Sequence, residues 1–242
     1  MSRARILREL GLGPLWRLRG GAPAAEAAVP VPVAAVLAAP TLPATVADTP
    51  DARAAQIAAM DWDGLRGAVA ECRACELCRQ RKQAVLGVGD VEADWLFVGE
   101  GPGADEDERG EPFVGQAGKL LDAMLAAIDL KRGQNVYIAN TVKCRPPGNR
   151  TPEPEETTAC WPFLARQIAL IKPKLIVALG RPAAQTLLQS EVKIGASRGR
   201  LFEHQGIPLI VTYHPAYLLR NLPDKAKAWE DLCFMRKSMK EI

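Results

Sequence analysis

Four short runs rich in β-branched and aromatic residues, Trp95–Val98, Asn135–Ala139, Lys174–Leu179 and Pro208–Thr212, limit what this chain can fold into more than any other feature. Each is the length of one strand and too short for a buried helix. Strands that are apolar at consecutive positions need cover on both faces, as in a parallel sheet. The segments between and around them carry helical spacing. Gln116–Leu130 sets Leu120, Leu121, Met124, Leu125 and Ile128 on one face. Glu153–Ile171 does the same with Phe163, Leu164, Ile168 and Ile171, while Arg181–Gln189 is shorter and Pro223–Met239 closes the chain. Upstream, Ala54–Met60 and Trp62–Cys72 predict two more helices, with Asp61 as a cap between them. Strands alternating with helices predict an α/β fold, a three-layer α/β/α arrangement around a central four-stranded parallel sheet.

In such a sheet the ligand sits beyond the carboxyl ends of the strands. The residues that follow the four runs are Gly99-Glu100-Gly101-Pro102-Gly103, Asn140, Gly180-Arg181 and His214-Pro215. A glycine-rich loop, an amide and an imidazole therefore converge on one edge. The glycine loop matches neither the dinucleotide fingerprint nor the P-loop. Glu100, Asp105, Glu106, Asp107, Glu108 and Glu111 surround it with only Arg109 in opposition, so repulsion argues against a polyphosphate and for a neutral ligand. Pro112-Phe113-Val114-Gly115 adds an aromatic ring to the same edge. His204, in the turn Glu203-His204-Gln205-Gly206, reads as solvent-facing. Arg145, Arg150, Lys193, Arg198, Arg200 and Arg220 form a modest cationic set suited to phosphates.

The first fifty residues have a different character. Residues 1–20 form a short amphipathic segment in which Leu and Trp alternate with arginines, expected to frayed packing on the body or to docking on a protein partner. Residues 21–51 read as a disordered linker: the 29 positions from Ala22 to Pro50 hold 11 alanines and 6 prolines. The folded domain is expected over 52–242. No apolar run reaches the ~20 residues that span a bilayer. The arginines in the N-terminal stretch leave no uncharged core for a secretory signal, so a cytoplasmic location is expected. In that setting six cysteines indicate metal or redox chemistry sooner than disulfides. Cys72 and Cys75 form a C-x2-C pair, and Cys144 and Cys160 complete a four-thiolate set with 15 residues between them. Cys78 is a spare and Cys233 reads as a packed thiol. Zinc and a [4Fe–4S] cluster both satisfy this spacing. A net charge of +3 is too mild to indicate a nucleic-acid binder by itself.

From Cys72 to Trp229 the chain resembles the family 4 uracil-DNA glycosylases, iron–sulfur enzymes of bacteria and archaea. The resemblance rests on GEGPG, EPFVGQAGKLL, VYIANTVKCRPPGNRTP, the cysteine pair with its two distant partners, and HPAYLLR, in that order. It implies a uracil-DNA glycosylase-like fold, a [4Fe–4S] cluster on Cys72, Cys75, Cys144 and Cys160, and hydrolysis of the N-glycosidic bond of deoxyuridine in single- or double-stranded DNA by a monomer. On that reading His214 supports charge on uracil O2 and Asn140 reads the base. Phe113 stacks on it, Leu218 is the wedge that fills the gap left by the flipped nucleotide, and Glu106 closes the pocket near C5. Glu100 and Gly101 line the pocket. Gly101 stands where other uracil glycosylases place an Asp or Asn that orients water, so either Glu100 or an acidic neighbour such as Asp107 positions it, or loosely held solvent captures the cation. The alternatives are a non-catalytic uracil or damaged-DNA binding module and a zinc-stabilised adaptor.

Overall fold

The computed structural model describes residues 50–242, so the expectations for the N-terminal segment and for most of the linker lie outside the described residues. The body opens with helices α1 (Pro50–Ala59) and α2 (Trp62–Glu71). Pro50 takes the first helical position, where its missing N–H is no loss, so the helix begins inside the expected linker by two residues. Asp61 caps α2 as expected, its carboxylate accepting from the Gly64 N–H at 2.9 Å. The remaining helices are α3 (Ala104–Arg109), α4 (Gln116–Ala126), α5 (Pro154–Ile171), α6 (Arg181–Leu188), α7 (Ile194–Ser197), α8 (Pro215–Arg220) and α9 (Asp224–Glu241).

Six strands form one sheet: β1 (Val88–Gly89), β2 (Trp95–Gly99), β3 (Val136–Asn140), β4 (Leu175–Leu179), β5 (Leu201–His204) and β6 (Ile207–Thr212). Their order is β1-β3-β2-β4-β6-β5. The four expected strands are the parallel centre, and β1 and β5 add antiparallel edges. Every residue of β2, β3 and β4 is buried. Alternation divides them between two cores. Trp95, Phe97, Ile138 and Val177 pack with Leu121 and Leu125 of α4 and Leu232 and Met235 of α9. Leu96, Val98, Ala139 and Ile176 pack with Leu164 and Ile168 of α5 and Leu187 of α6. The chain thus leaves β2 towards one face and leaves β3 and β4 towards the other, which opens a crevice at the carboxyl end of β2.

The β5–β6 hairpin corrects the reading of His204. The turn is only Gln205–Gly206, both at positive φ (51° and 83°), the geometry of a two-residue hairpin loop. His204 is therefore the last strand residue and points inward, 5% exposed. Its Nδ1–H donates to the Leu187 carbonyl at 2.8 Å, and Trp161 packs edge-on against its ring.

Candidate active site

The four strand ends deliver Gly99, Asn140, Gly180 and, two residues past β6, His214 to one rim. There Asn140, Gly180 and His214 line an open cleft of about 840 Å³ with Glu100, Gly101, Glu106, Phe113, Arg150 and Arg220 among its walls. Asn140 is 2% exposed and its Oδ1 has no hydrogen-bond partner. A buried carbonyl oxygen left bare costs free energy that a ligand N–H recovers. A Cβ built on Gly99 would lie 2.5 Å from that oxygen and 2.6 Å from the Phe113 ring, so the glycine lets the amide and the aromatic share one space. The Phe113 and His214 ring centroids are 5.4 Å apart. The three residues expected to grip one base therefore face the same small volume.

Phe113 is held there against its backbone preference, at φ +55°. Arg132 donates to the Pro112 and Phe113 carbonyls, each at 2.8 Å. Gly118 of α4 permits the approach, because a Cβ at that position would fall 1.8 Å from the Phe113 carbonyl oxygen. His214 caps α8, its Nδ1 accepting the Ala216 N–H at 3.1 Å. With Nδ1 occupied as an acceptor, the proton of the neutral ring resides on Nε2. Burial, with help from Arg220, pushes the imidazole pKa down to about 4 against the opposing pull of Glu106, so the ring is neutral near pH 7. Gly180, at φ +90°, leaves room for the His214 side chain: a Cβ there would sit 2.9 Å from His214 Cβ.

The three acids have different fates. Glu106 lines the cleft, but its carboxylate is committed to the Gly103, Val114 and Gly115 N–H groups at 3.0, 2.9 and 3.1 Å. It ties the glycine loop to the loop that carries Phe113. Asp107 does not fit the water-positioning role. It is 3% exposed, accepts from the Lys82 N–H at 2.9 Å, and is absent from the cleft walls. Adjacent residues on α3 project about 100° apart, which turns Asp107 away when Glu106 faces in. Glu100 does line the cleft; burial pushes its carboxyl up, while the Thr151 hydroxyl and Arg181 pull it back. Gly101 lies on the same wall, with Val142 directly behind it.

Leu218 also departs from expectation. It is 1% exposed and packs in the core with Ile210 and Leu232, so it is not free to act as a wedge. Its neighbour Leu219 is 41% exposed. Among the cations, Arg198 is a structural tie: it bonds Asp231 and Glu230, and Asp231 in turn accepts from Thr212 at 2.7 Å. Arg150 lines the cleft yet makes two bonds to Glu156, at 2.7 and 2.8 Å. Arg145, Lys193, Arg200 and Arg220 remain as candidate phosphate contacts. Arg181 joins them, a cleft residue visible in sequence only as the residue after Gly180.

Cys72, Cys75, Cys144 and Cys160 share one cluster with Leu86, Val142 and Phe163. Three of the sulfurs receive N–H donors: Arg53 to Cys72 at 3.5 Å, Arg81 to Cys144 at 2.9 Å and the Lys143 backbone to Cys160 at 3.3 Å. Burial pushes the Cys160 thiol up to about 12, so only a bound metal would hold it as thiolate near neutrality. Cys78 lies outside the apolar cluster but beside Cys75, its N–H donating to the Cys75 carbonyl at 3.3 Å, on a depression the two share with Arg73, Arg79 and Arg81. Cys233 is half-buried on α9. Among the described residues, no three His, Cys, Asp or Glu side chains close on a point as they would around a single ion.

Residues 86–233 match the family model of the uracil DNA glycosylase superfamily. The chain is 41% identical over 181 residues to a type-4 uracil-DNA glycosylase of Pyrobaculum aerophilum, covering 72% of this chain and 92% of the relative. It is 46% identical over 159 residues to the type-4 enzyme of Archaeoglobus fulgidus, covering 62% and 79%. A type-5 uracil-DNA glycosylase of Pyrobaculum aerophilum is more distant, 30% identical over 146 residues with 54% and 64% covered. With the strand-end cleft, the four-cysteine cluster and these likenesses in place, the chain belongs to the uracil DNA glycosylase superfamily.

Proposed function

We propose that the chain is a monofunctional uracil-DNA glycosylase acting in base excision repair. Water adds to C1′ of a deoxyuridine in DNA, the C1′–N1 bond breaks with its electron pair passing to the base, and an abasic site remains. The observation that carries this reading is the bare Oδ1 of Asn140 beside the Phe113 ring and His214. A planar base lying on Phe113 presents its N3–H to that oxygen and its O4 to the amide NH2, a pattern that cytosine reverses. Such stacking contributes about 1–3 kcal/mol.

As the bond lengthens, negative charge collects on the base. The Nε2–H of neutral His214 supports that charge on O2, an electrostatic role of the kind that typically supplies about 10²–10³ in rate. Glu100, with its carboxyl raised by burial, positions the water and takes its proton. The cleft's remaining cations face the phosphates on either side of the extruded nucleotide.

Cys72, Cys75, Cys144 and Cys160 would hold a [4Fe–4S] cluster. Their N–H···S donors are those that stabilise an anionic cluster, and a cubane does not require its ligands to close on one point as zinc does. Those cysteines lie just past the end of α2, in the loop after β3 and on helix α5, so a cluster held by them would tie these three segments together.

The test is an oligonucleotide with a single uracil, treated with protein and then with alkali. Strand breaks at uracil and not at cytosine are expected, together with brown protein absorbing broadly in the visible. Protein in excess of DNA that retards the oligonucleotide yet yields no breaks would establish a binding module instead. The Asn140→Asp variant should lose most of its preference for uracil over cytosine.

A further inference from the structure

Lys143 is 1% exposed, and among the described residues no carboxylate pairs with it. Its ammonium donates to the main-chain carbonyl of Asn140 at 2.8 Å and to Oε1 of Gln167 at 2.5 Å. Gln167, 0% exposed, is fixed in turn: its amide donates to the Leu86 carbonyl at 2.9 Å and to the Tyr137 hydroxyl at 3.2 Å. The Lys143 main-chain N–H donates to the Cys160 sulfur at 3.3 Å. Removing a buried amine leaves its acceptors bare, so its loss should matter more than that of an exposed lysine.

The carboxamide of Asn140 has no partner at Oδ1, so its main chain and the packing of Gly99 and Phe113 set its direction. We propose that Lys143 is a positioning residue for base recognition: anchored by Gln167 through its side chain and by Cys160 through its main chain, it pins the Asn140 peptide and so aims the carboxamide at the base. The inference rests on the glycosylase reading and on the four-cysteine cluster. It adds a link between them, because one residue touches the cradle of the cluster through its main-chain N–H and the strand end that reads uracil through its side chain. The link is through hydrogen bonds, and no electron transfer is involved.

The test compares unsubstituted protein with Lys143→Met, each purified with its cluster and assayed well below its unfolding temperature. Free uracil inhibition reads the base site alone, and affinity for abasic-site duplex reads the rest of the DNA surface. Loss of one charge-assisted hydrogen bond should raise the uracil inhibition constant about tenfold. Affinity for abasic duplex should stay within about twofold. In an Asn140→Ala background the same substitution should change the inhibition constant by less than about twofold, since nothing is left to aim. An unmoved inhibition constant in folded, brown Lys143→Met, or an equal effect in the Asn140→Ala background, overturns the inference. Should Lys143→Met not fold, Gln167→Met keeps Lys143 and removes its side-chain anchor: a rise of a few-fold supports the inference, and no rise overturns it. Unsubstituted protein that neither cleaves uracil-DNA nor responds to uracil defeats the glycosylase reading itself and this inference with it. Uracil inhibition of unsubstituted protein that Lys143→Met leaves unmoved defeats the positioning role alone.

Discussion

Replacing Gly99 by alanine should disable the site while sparing the fold. The added methyl would lie 2.5 Å from Asn140 Oδ1 and 2.6 and 2.8 Å from two Phe113 ring carbons, where ordinary contact begins at 3.4 Å. Both side chains must therefore retreat by about 0.8–0.9 Å, in directions that widen the gap between reader and stacking ring. A displacement near 1 Å at reacting or orienting groups costs on the order of 10² in rate. Overpacking of this kind typically costs about 1–3 kcal/mol of stability, a fall in Tm of roughly 2–10 °C for a domain of this size. The assay is single-turnover cleavage of uracil-containing duplex alongside thermal unfolding. Gly67→Ala serves as the matched control: nothing lies within 4 Å of its added methyl, and alanine in the interior of α2 should stabilise by up to about 1 kcal/mol with the rate unchanged. Folded Gly99→Ala protein that cleaves within threefold of the parent rate would show that the base does not lie between Asn140 and Phe113.

The pH profile tests His214. Its imidazole sits at about 4 in the fold against an ordinary 6.5, so its catalytic contribution should persist down to pH 5 and be lost as pH falls through about 4. The sign for stability follows: between 6.5 and 4 the unfolded chain takes up the proton first, so His214's contribution present above pH 6.5 declines across that window. A break in rate near pH 6.5 that disappears in His214→Ala would contradict the neutral ring. Arg132→Ala should release the Pro112 and Phe113 carbonyls, lowering kcat about tenfold with DNA affinity little changed; an unaltered kcat would mean that the loop holds itself. Arg220→Ala should reduce the slope of log affinity against log salt by about 0.9. Arg198→Ala should leave that slope alone and lower Tm, because Arg198 is spent on Asp231 and Glu230; the reverse pattern would put the phosphate path on the Arg198 side.

The central sheet was legible because each of its four strands is an apolar run bounded by polar residues, and burial on both faces demands that composition. The edge strands were not. β1 is two residues long and carries no pattern, while β5 has Leu201 at 52% exposure beside a charged Glu203, as an edge in contact with solvent allows. Helix ends moved for local reasons. The spacing of Gln116–Leu130 continues to Ile128 and Leu130, yet α4 stops at Ala126 because Asp129 turns to φ +63° and the Leu130 N–H folds back to the Leu125 carbonyl at 3.0 Å. Those two apolar residues still face the core from a turn, so their periodicity survived the loss of the helix.

The site divides along a different line. Asn140 and His214 were readable because one ends a strand and the other follows one by two residues, so the strand end fixes where each lies. Asp107 and Leu218 were misplaced because each sits on a six-residue helix, too short to show which face is inward. On α3 the decision belongs to three backbone N–H groups that draw Glu106 into the cleft and leave Asp107 for Lys82. On α8 it belongs to the His214 cap, which sets the helix phase so that Leu218 enters the core and Leu219 meets solvent. Gly99, Arg132 and Lys143 act through distances to chain-remote partners, and a single sequence records none of those distances. A residue's chemistry could be read from its type; its direction was readable only where an extended element, buried on both faces, left it no choice.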